Sequence, residues 1–217
     1  MTQLILGMTP EWLPRLDNFV VGRNLMLHTA LRHALESVEG ERGFYIWGDA
    51  GSGKSHLLRA LVAQAQEIGL TAIYAHVAVP ETAQVVAVDD VELLNDAEQI
   101  ALFALYNRMR ETGGLLLVSG QCAPMYLPVR DDLRTRLGWG MVYQVQELDE
   151  IEKTEALQRH ASTLGLVLPA EVTTYMLRHG RRDLPTLFRV LDELDALCLR
   201  LKRPAATVPL LKEVMRG

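Results

Sequence analysis

Residues 48–55 read GDAGSGKS and match the pattern G-x-x-x-x-G-K-[ST] at every fixed position. The segment follows a short apolar run at 44–47 and precedes a helical pattern at 56–68, which is the strand, loop and helix context that this motif requires. Its glycines allow successive backbone N–H groups to turn inward around phosphates, and the following helix presents its positive N-terminal end. The segment therefore predicts a nucleotide phosphate site, with a Gly-rich hairpin turn as the alternative.

The residues of this loop have different expected roles. Lys54 is expected to reach the β- and γ-phosphates, and the Ser55 hydroxyl to hold Mg²⁺. His56 comes directly after the motif and is counted with it, although the sequence identifies no partner for its side chain. The expected ligands are ADP or ATP with Mg²⁺, and the sequence favours neither nucleotide. The candidate nucleotide-binding residues here are Gly48, Gly51, Ser52, Gly53, Lys54, Ser55 and His56.

A second apolar run, at 85–88, ends in two acidic residues, Asp89 and Asp90. A phosphate loop of this kind needs an acidic metal partner at the end of another buried strand. We therefore expect Asp89 to hold Mg²⁺ through its water shell and Asp90 to polarise an attacking water as a general base. Without the phosphate loop, the same pattern would indicate only a strand that ends in a solvated turn.

Apolar runs of strand length alternate with helical patterns in the first two thirds of the chain. Strands are predicted at 44–47, 71–79, 85–88, 115–118 and 141–145, and helices at 24–39, 56–68 and 96–110. After Glu147 only helical patterns follow, at 150–163, 169–179 and 183–201. The fold class is therefore α/β: a five-stranded parallel sheet with helices on both faces, followed by a small α-helical lid.

Composition excludes several functional classes. The net charge of -5 does not support a large nucleic-acid interface, so no direct sequence-specific DNA binding is expected. Cys122 and Cys198 lack metal-ligand spacing and fit a reducing compartment. We find no signal-peptide pattern and no apolar stretch of about 20 residues that could cross a membrane. A cytoplasmic location is the simplest expectation.

Two further segments, DNFVVGRN at residues 17–24 and LRTRLGWG at residues 133–140, resemble motifs of the DnaA-related AAA+ family, which includes the Hda regulators that inactivate DnaA. Residues 17–24, DNFVVGRN, resemble the "F-D-N-F-V-x-G-x-x-N" segment that lies against adenine in that family. Residues 133–140, LRTRLGWG, resemble "L-x-S-R-[FL]-x-W-G", whose Arg is the arginine finger. Side-chain chemistry does not distinguish Arg134 from Arg136, but the resemblance selects Arg136. It implies an AAA+ P-loop NTPase core.

Two positions bear on the site's own hydrolysis. Residues 180–184, GRRDL, resemble the "x-x-R-E-L" of the family, which implies that Arg182 is the sensor-2 residue that reaches the nucleotide. The sensor-1 position, usually polar and often Asp, is Gly120 in this chain. A glycine cannot position a water. Unless Ser119 or Gln121 substitutes, hydrolysis of the protein's own nucleotide should be weak, and whether the chain is an enzyme in its own right is left open.

The N-terminal segment QLILGM, residues 3–8, resembles the clamp-binding motif of the Hda family. The resemblance implies that Gln3 hydrogen-bonds at a pocket rim while Leu4, Leu6 and Met8 fill a groove on the sliding clamp, the beta subunit of DNA polymerase III. A frayed or core-packed strand is the alternative. The sequence ends at residue 217 without a DnaA-type helix-turn-helix, which favours Hda over DnaA. The expected domains are the peptide 1–10, the core 11–146 and the lid 147–217.

The resemblance implies a negative regulator of DNA replication initiation. It would dock on the sliding clamp, hold a nucleotide and stimulate hydrolysis of DnaA-bound ATP through Arg136, supplied in trans. A homodimer that hides Arg136 is compatible with the motifs. One alternative is a DnaC-like helicase loader or DNA-remodelling ATPase, which would bind single strands and turn over its own ATP. Another is an interaction adaptor in which the nucleotide only holds the lid.

Overall fold

A computed structural model of the chain describes residues 14–81, 83–181, 183–203 and 205–216. Within these ranges the protein divides into two compact units, residues 14–147 and residues 148–216. The first unit contains the phosphate loop and the second contains only helices and one isolated bridge between strands. No helix in the ranges given above is sufficiently long and apolar to cross a membrane.

The first unit is built on a five-stranded parallel sheet, as predicted. Its strand order is β2-β3-β4-β1-β5, and every neighbouring pair is parallel. The strands are β1 Gly43–Trp47, β2 Ala72–His76, β3 Val85–Asp89, β4 Leu115–Gly120 and β5 Met141–Gln144. The helices are α1 Leu25–Glu36, α2 Lys54–Glu67, α3 Asp96–Thr112 and α4 Asp131–Leu137. Because parallel strands end at one edge of the sheet, the segments that follow β1, β3 and β4 meet there.

Two hydrophobic clusters cover the two faces of this sheet, which confirms the predicted layers. Along β4, Leu115 and Leu117 belong to the cluster with α1 and α2, whereas Leu116 and Val118 belong to the cluster with α3 and α4. Successive strand residues point to opposite faces, so a strand buried on both sides needs apolar side chains at every position. This requirement explains why β3 and β4 are continuous apolar runs.

Three of the differences between the structure and the sequence-based boundaries have a clear physical reason. The predicted strand at 71–79 is shorter because the chain turns at Val77, whose φ is +50°. Helix α2 begins at Lys54, two residues before the predicted start at His56, because the phosphate loop leads directly into its first turn. Helix α4 was not predicted, since its seven residues are too few to show helical periodicity.

The described part of the second unit contains four helices: α5 Glu150–Leu164, α6 Ala170–His179, α7 Leu184–Arg200 and α8 Val208–Val214. The sequence predicted the first three. It missed α8, which is again only seven residues long. A parallel bridge joins Val167 to Ala205. Within the unit, His160 of α5 lies 2.7 Å from a carboxylate oxygen of Asp192 on α7, so a nearly buried polar pair ties these two helices.

Candidate nucleotide-binding site and arginine surface

The phosphate loop depends on glycine at two positions. Gly48 follows β1 at a φ of +156°, and a Cβ there would lie 2.6 Å from the carbonyl oxygen of Val145. Gly53 precedes α2 at a φ of +104°, and a Cβ there would lie 3.0 Å from the ring of Phe19. Only glycine combines these backbone angles with such close neighbours. The loop is therefore a tight cradle that no larger residue at either position would fit.

Two polar side chains of the loop are available to a ligand. Lys54 is buried and its ammonium group donates to the carbonyl oxygens of Gly48 at 2.7 Å and Asp49 at 3.0 Å. The Ser52 hydroxyl is also buried, and among the residues described it has no hydrogen-bond partner. Buried polar groups are normally hydrogen-bonded, so an unpaired hydroxyl beside a positive charge fits an anionic ligand such as a phosphate chain.

The carboxyl end of β3 provides the acidic residues. Asp89 is 1% exposed, and its oxygens accept hydrogen bonds from the Ser119 hydroxyl and, at 2.8 Å, from the Tyr74 hydroxyl. A carboxylate has about four acceptor positions, so Asp89 retains capacity for a hydrated metal ion. Asp90 has a φ of +54°, and its carboxylate lies 3.0 Å from Nε2 of His76. The two acidic residues therefore have separate partners.

Strand β2 contributes residues that the sequence reasoning missed. Tyr74 and His76 lie in register with Ala87 and Asp89 of β3. The Arg59 guanidinium lies 4.9 Å above the Tyr74 ring and donates to its hydroxyl at 3.4 Å. Burial raises the pKa of Tyr74, so its hydroxyl keeps the proton that it donates. The sequence contained only a weak signal for Tyr74 and His76: they are polar side chains at alternate positions of a predicted strand.

The two residues that flank the predicted sensor-1 position, Ser119 and Gln121, differ in their surroundings. The Ser119 hydroxyl is fully buried, donates to Asp89 and accepts from the backbone N–H of Asp90 at 3.0 Å. Gln121 is exposed. Any Cβ at Gly120 would overlap the hydroxyl of Tyr45, which comes from the neighbouring strand β1. Ser119 is therefore committed to the acidic pair, and a larger residue at position 120 would require Tyr45 to move.

Residues 17–24 pack against the phosphate loop. The Phe19 ring lies 5.6 Å from His56 and 6.2 Å from His28, measured between centroids. Nε2 of His56 lies 3.1 Å from the carbonyl oxygen of Arg15, and burial lowers the pKa of His56. The His56 side chain thus faces this segment, while its backbone belongs to the first turn of α2. Its predicted contact with nucleotide stays a prediction.

Asn24 immediately precedes helix α1, but its side chain does not cap that helix. The side-chain NH₂ of Asn24 donates to the backbone carbonyl oxygen of Gln146 at 2.9 Å. The side-chain oxygen of Asn24 accepts from the backbone N–H of Gln146 at 2.7 Å. This reciprocal pair is preferred because Asn24 is buried beside the chain that leaves β5, where backbone groups need partners. It ties residues 17–24 to the end of the sheet.

Helix α4 and the turn after it present the two arginines of the LRTRLGWG segment differently. Arg134 donates to the carbonyl oxygen of Leu127 at 3.3 Å and forms an ion pair with Asp131. The Arg136 guanidinium instead lies 4.0 Å above the ring of Trp139, which is 55% exposed. Within the described chain, Arg136 has no ion-pair partner. Arg136 is therefore held by stacking at the surface, and its donors are not committed to a carboxylate.

Several predicted site residues lie outside the residues that the structure describes. They are Gln3, Leu4, Leu6 and Met8 of the N-terminal peptide and Arg182 of the lid. The clamp-binding and sensor-2 roles of these residues stay predictions. The remaining nucleotide-binding candidates lie on the loop after β1, in the first turn of α2 and at the end of β3.

The chain is similar to several known proteins. Residues 150–215 match the family model described as "Hda, lid domain", and residues 2–90 match that of the BREX system ATP-binding protein BrxC/D. An uncharacterized protein of Haemophilus influenzae is 35% identical over 215 residues, and the match covers 92% of each chain.

Similar solved structures include domain III of DnaA from Thermotoga maritima, with a TM-score of 0.73 at 20% identity over 93% of this chain and 95% of that one. AMPPCP-bound DnaA from Aquifex aeolicus has a TM-score of 0.70 at 22% identity, over 87% of this chain and 65% of that one. RuvB from Thermotoga maritima has a TM-score of 0.68 at 16% identity, over 94% and 71%. These likenesses show the AAA+ fold. Together with the lid family and the full-length relative, they show that the chain belongs to the Hda and DnaA-related family of AAA+ proteins.

Proposed function

We propose that this protein is a nucleotide-bound negative regulator of replication initiation. It docks on the sliding clamp and stimulates hydrolysis of DnaA-bound ATP by supplying Arg136 in trans. The observation that carries the proposal is the state of Arg136: a guanidinium stacked on a half-exposed tryptophan, without an ion pair in the described chain.

A nucleotide, ADP or ATP, is the expected ligand of the phosphate loop. Buried Lys54 and the unpaired hydroxyl of Ser52 support this part of the proposal, as do the two constrained glycines. Ser55, on the exposed side of the first turn of α2, and Asp89 are the residues that would hold Mg²⁺. When bound, Mg²⁺ would supply positive charge between the phosphate oxygens. Arg182 is the proposed contact from the lid.

Arg136 is suited to act on a phosphate that another protein holds. A guanidinium places two donors on one phosphate group and neutralises charge that develops during phosphoryl transfer. Its stacking on Trp139 limits the rotamers that must be ordered when a partner docks. The donors of Arg134, in contrast, are already used in the ion pair with Asp131 and the hydrogen bond to the carbonyl oxygen of Leu127. The contrast supports the choice of Arg136 as the finger.

Weak hydrolysis of the protein's own nucleotide is part of the proposal. Gly120 offers no side chain at the sensor-1 position, and the Asp90 carboxylate is paired with His76. The protein would therefore act by stimulating hydrolysis on DnaA rather than by frequent turnover of its own ligand. A homodimer that hides Arg136 would be one way to restrain it.

The decisive experiment measures decay of DnaA-bound ATP in the presence of DNA-loaded clamp, with wild-type protein, Arg136→Ala and Arg134→Ala. An arginine finger supplied in trans contributes about 10³–10⁵-fold to hydrolysis. We therefore expect Arg136→Ala to lose nearly all stimulation while it still binds nucleotide and clamp. Arg134→Ala is the matched control and should retain stimulation.

Other outcomes would contradict the proposal. Full stimulation by Arg136→Ala would contradict the assignment of Arg136 as the arginine finger and would favour an adaptor role. If a Gln3→Ala, Leu4→Ala double variant still bound the sliding clamp in a pull-down, the assignment of residues 3–8 as the clamp-binding motif would be contradicted. Single-strand binding together with ATP turnover that depends on Asp90 would favour a DnaC-like loader.

A further inference from the structure

A pocket of about 230 Å³ lies at the edge of the sheet where β1 and β4 begin. Its walls come from the loop between α1 and β1, within residues 38–43, and from the last turns of α3 with the turn that follows, within residues 106–114. Leu116 of β4 also lines it. The phosphate loop follows the other end of β1, so this pocket is separate from the proposed nucleotide site.

Two side chains one helical turn apart on α3 turn hydrogen-bond donors to this pocket. Tyr106 is 6% exposed, yet its hydroxyl forms no hydrogen bond with any residue that the structure describes. The Arg110 guanidinium lies 5.7 Å from the centroid of the Trp139 ring and pairs with no carboxylate in the described ranges. Buried polar groups are normally hydrogen-bonded, so an unpaired phenol beside an unpaired guanidinium fits a ligand that accepts hydrogen bonds.

Arg42 adds a second guanidinium from the opposite wall. Its Nη1 donates to the carbonyl oxygens of Ala34 at 3.0 Å and Ser37 at 2.6 Å, which anchors the side chain to the end of α1. Its Nε is buried and has no partner among the described residues. Burial lowers the pKa of Arg42, but a guanidinium in a protein stays charged. The pocket therefore contains a fixed positive charge that no described carboxylate neutralises.

One acidic residue, Glu41, also lines the pocket. Its Oε1 accepts from the backbone N–H groups of Arg42 at 3.2 Å and Gly43 at 3.0 Å, so the carboxylate is used by the loop itself. Burial and the charge of Glu41 raise the pKa of Tyr106, whereas the charge of Arg110 lowers it, and the phenol keeps its proton as a donor. Two guanidinium groups and one carboxylate leave one positive charge in excess.

We propose that this pocket binds a small monocarboxylate through Arg42, Tyr106 and Arg110. A carboxylate carries the single negative charge that the pocket lacks, and its two oxygens match the planar donor pairs of guanidinium groups. A phosphate group carries a charge of about −1.5 to −2 at neutral pH, and the carboxylate of Glu41 opposes the additional charge. The charge balance therefore favours a carboxylate over a phosphate.

The other walls of the pocket indicate what the carboxylate is attached to. Met109 and Leu116, both residues of the hydrophobic cluster on this face of the sheet, line the pocket beside the donors. Small-molecule sites combine apolar walls with a few polar groups that fix orientation. A carboxylate with a short hydrocarbon tail fits this arrangement and the small volume.

The test titrates isotope-labelled protein with sodium acetate or sodium butyrate at constant ionic strength and follows the backbone amides of Gly43 and Gly113 by NMR. ADP and Mg²⁺ are present throughout to occupy the phosphate loop. Wild type should show saturable shifts, and butyrate should bind about fourfold more tightly than acetate because it buries more hydrocarbon. Inorganic phosphate should bind more weakly than acetate, and sodium chloride should give no saturable shift.

Three variants assign the binding to the named side chains. Tyr106→Phe removes only the hydroxyl and should weaken butyrate binding by about tenfold, since a hydrogen bond to a charged group is lost. Arg110→Gln should weaken it by about threefold, because this guanidinium is exposed to solvent. Arg108→Gln is the matched control: it is also exposed on α3, but its guanidinium donates to the carbonyl oxygen of Glu81, and butyrate binding should not change.

Thermal unfolding checks that each variant is folded, and exposed Arg110 keeps the test available if Tyr106→Phe impairs folding. Absence of saturable shifts in wild type would overturn the proposal. Equal weakening by Arg108→Gln and Arg110→Gln would also overturn it, because the effect would then be one of general surface charge. Tighter binding of phosphate than of acetate would overturn the carboxylate assignment. None of these results depends on the proposed regulatory function.

Discussion

At the scale of single residues, the carboxylate of Asp89 organises the polar edge of the sheet. It is nearly inaccessible to water, and it accepts hydrogen bonds from Tyr74 on β2 and Ser119 on β4. Ionised groups in such places persist only when donors compensate for the lost hydration. Arg59 above the Tyr74 ring adds a favourable positive charge. These neighbours hold the carboxylate of Asp89 in one position.

Tyr74→Phe should therefore destabilise the protein by about 1–3 kcal/mol, because it removes a hydrogen bond to a buried carboxylate and keeps the ring. The free energy of unfolding from urea denaturation measures this change. Tyr143→Phe is the matched control, since the Tyr143 hydroxyl is exposed and donates to the sulfur of Met141, at 3.4 Å, rather than to a carboxylate. The control should change stability by less than about 0.5 kcal/mol. Equal effects for the two variants would contradict the role given to Tyr74.

At the scale of elements, α3 is a 17-residue helix whose two ends have clear signals. The Asn95 side chain accepts from the backbone N–H of Glu98 at 3.0 Å, and the Glu98 carboxylate accepts from the backbone N–H of Asn95 at 2.8 Å. Gly113 closes the helix at a φ of +69°. This capping box sets where α3 starts, and α3 covers one face of the sheet through Leu102, Leu105 and Met109.

Replacing Asn95 by Ala should cost about 1 kcal/mol of stability, since it leaves a backbone N–H of the first turn without its acceptor. Chemical denaturation measures the loss, and Glu111→Ala at the exposed far end of the same helix is the control. If the two variants are equally stable, the cap contributes nothing measurable and the start of α3 is held by packing alone.

At the scale of the whole molecule, the core of the first unit is complete in itself. Both hydrophobic clusters of the sheet are formed by residues between Leu16 and Val145. The second unit has buried residues of its own, among them Leu157, Met176 and Leu191. Domains with separate cores generally fold as separate units. Two units in one chain allow the nucleotide core and the helical lid to differ in stability.

A chain truncated after Glu147 should therefore keep a cooperative unfolding transition. Its denaturant m-value should be smaller than that of the full chain, since fewer residues become exposed on unfolding. Circular dichroism followed during urea titration tests this, with the full chain measured alongside. A gradual, non-cooperative transition of the truncated chain would show that the first unit depends on residues 148–217.

Much of the fold follows from local sequence patterns. The strands of the parallel sheet are buried on both faces, so they appear as short apolar runs, and β1, β3 and β4 lie within one or two residues of their predicted places. The longer helices appear through their periodicity. The short helices α4 and α8 were missed because seven residues complete only about two turns, which is too little to establish a period.

By itself, the sequence determined the phosphate loop and the acidic pair after β3, because the residues of each motif are neighbours in the chain. Only the tertiary structure decided which groups surround them. Tyr74 and Ser119 reach the same edge from separate segments, and Tyr45 occupies the space beside Gly120. The pairing of Arg134 with Asp131, which leaves Arg136 on Trp139, also depends on side-chain directions in the folded chain. The physical reason is that a parallel sheet assembles its site from strand ends that are distant in sequence, and strand order and side-chain direction are set by packing rather than by spacing along the chain.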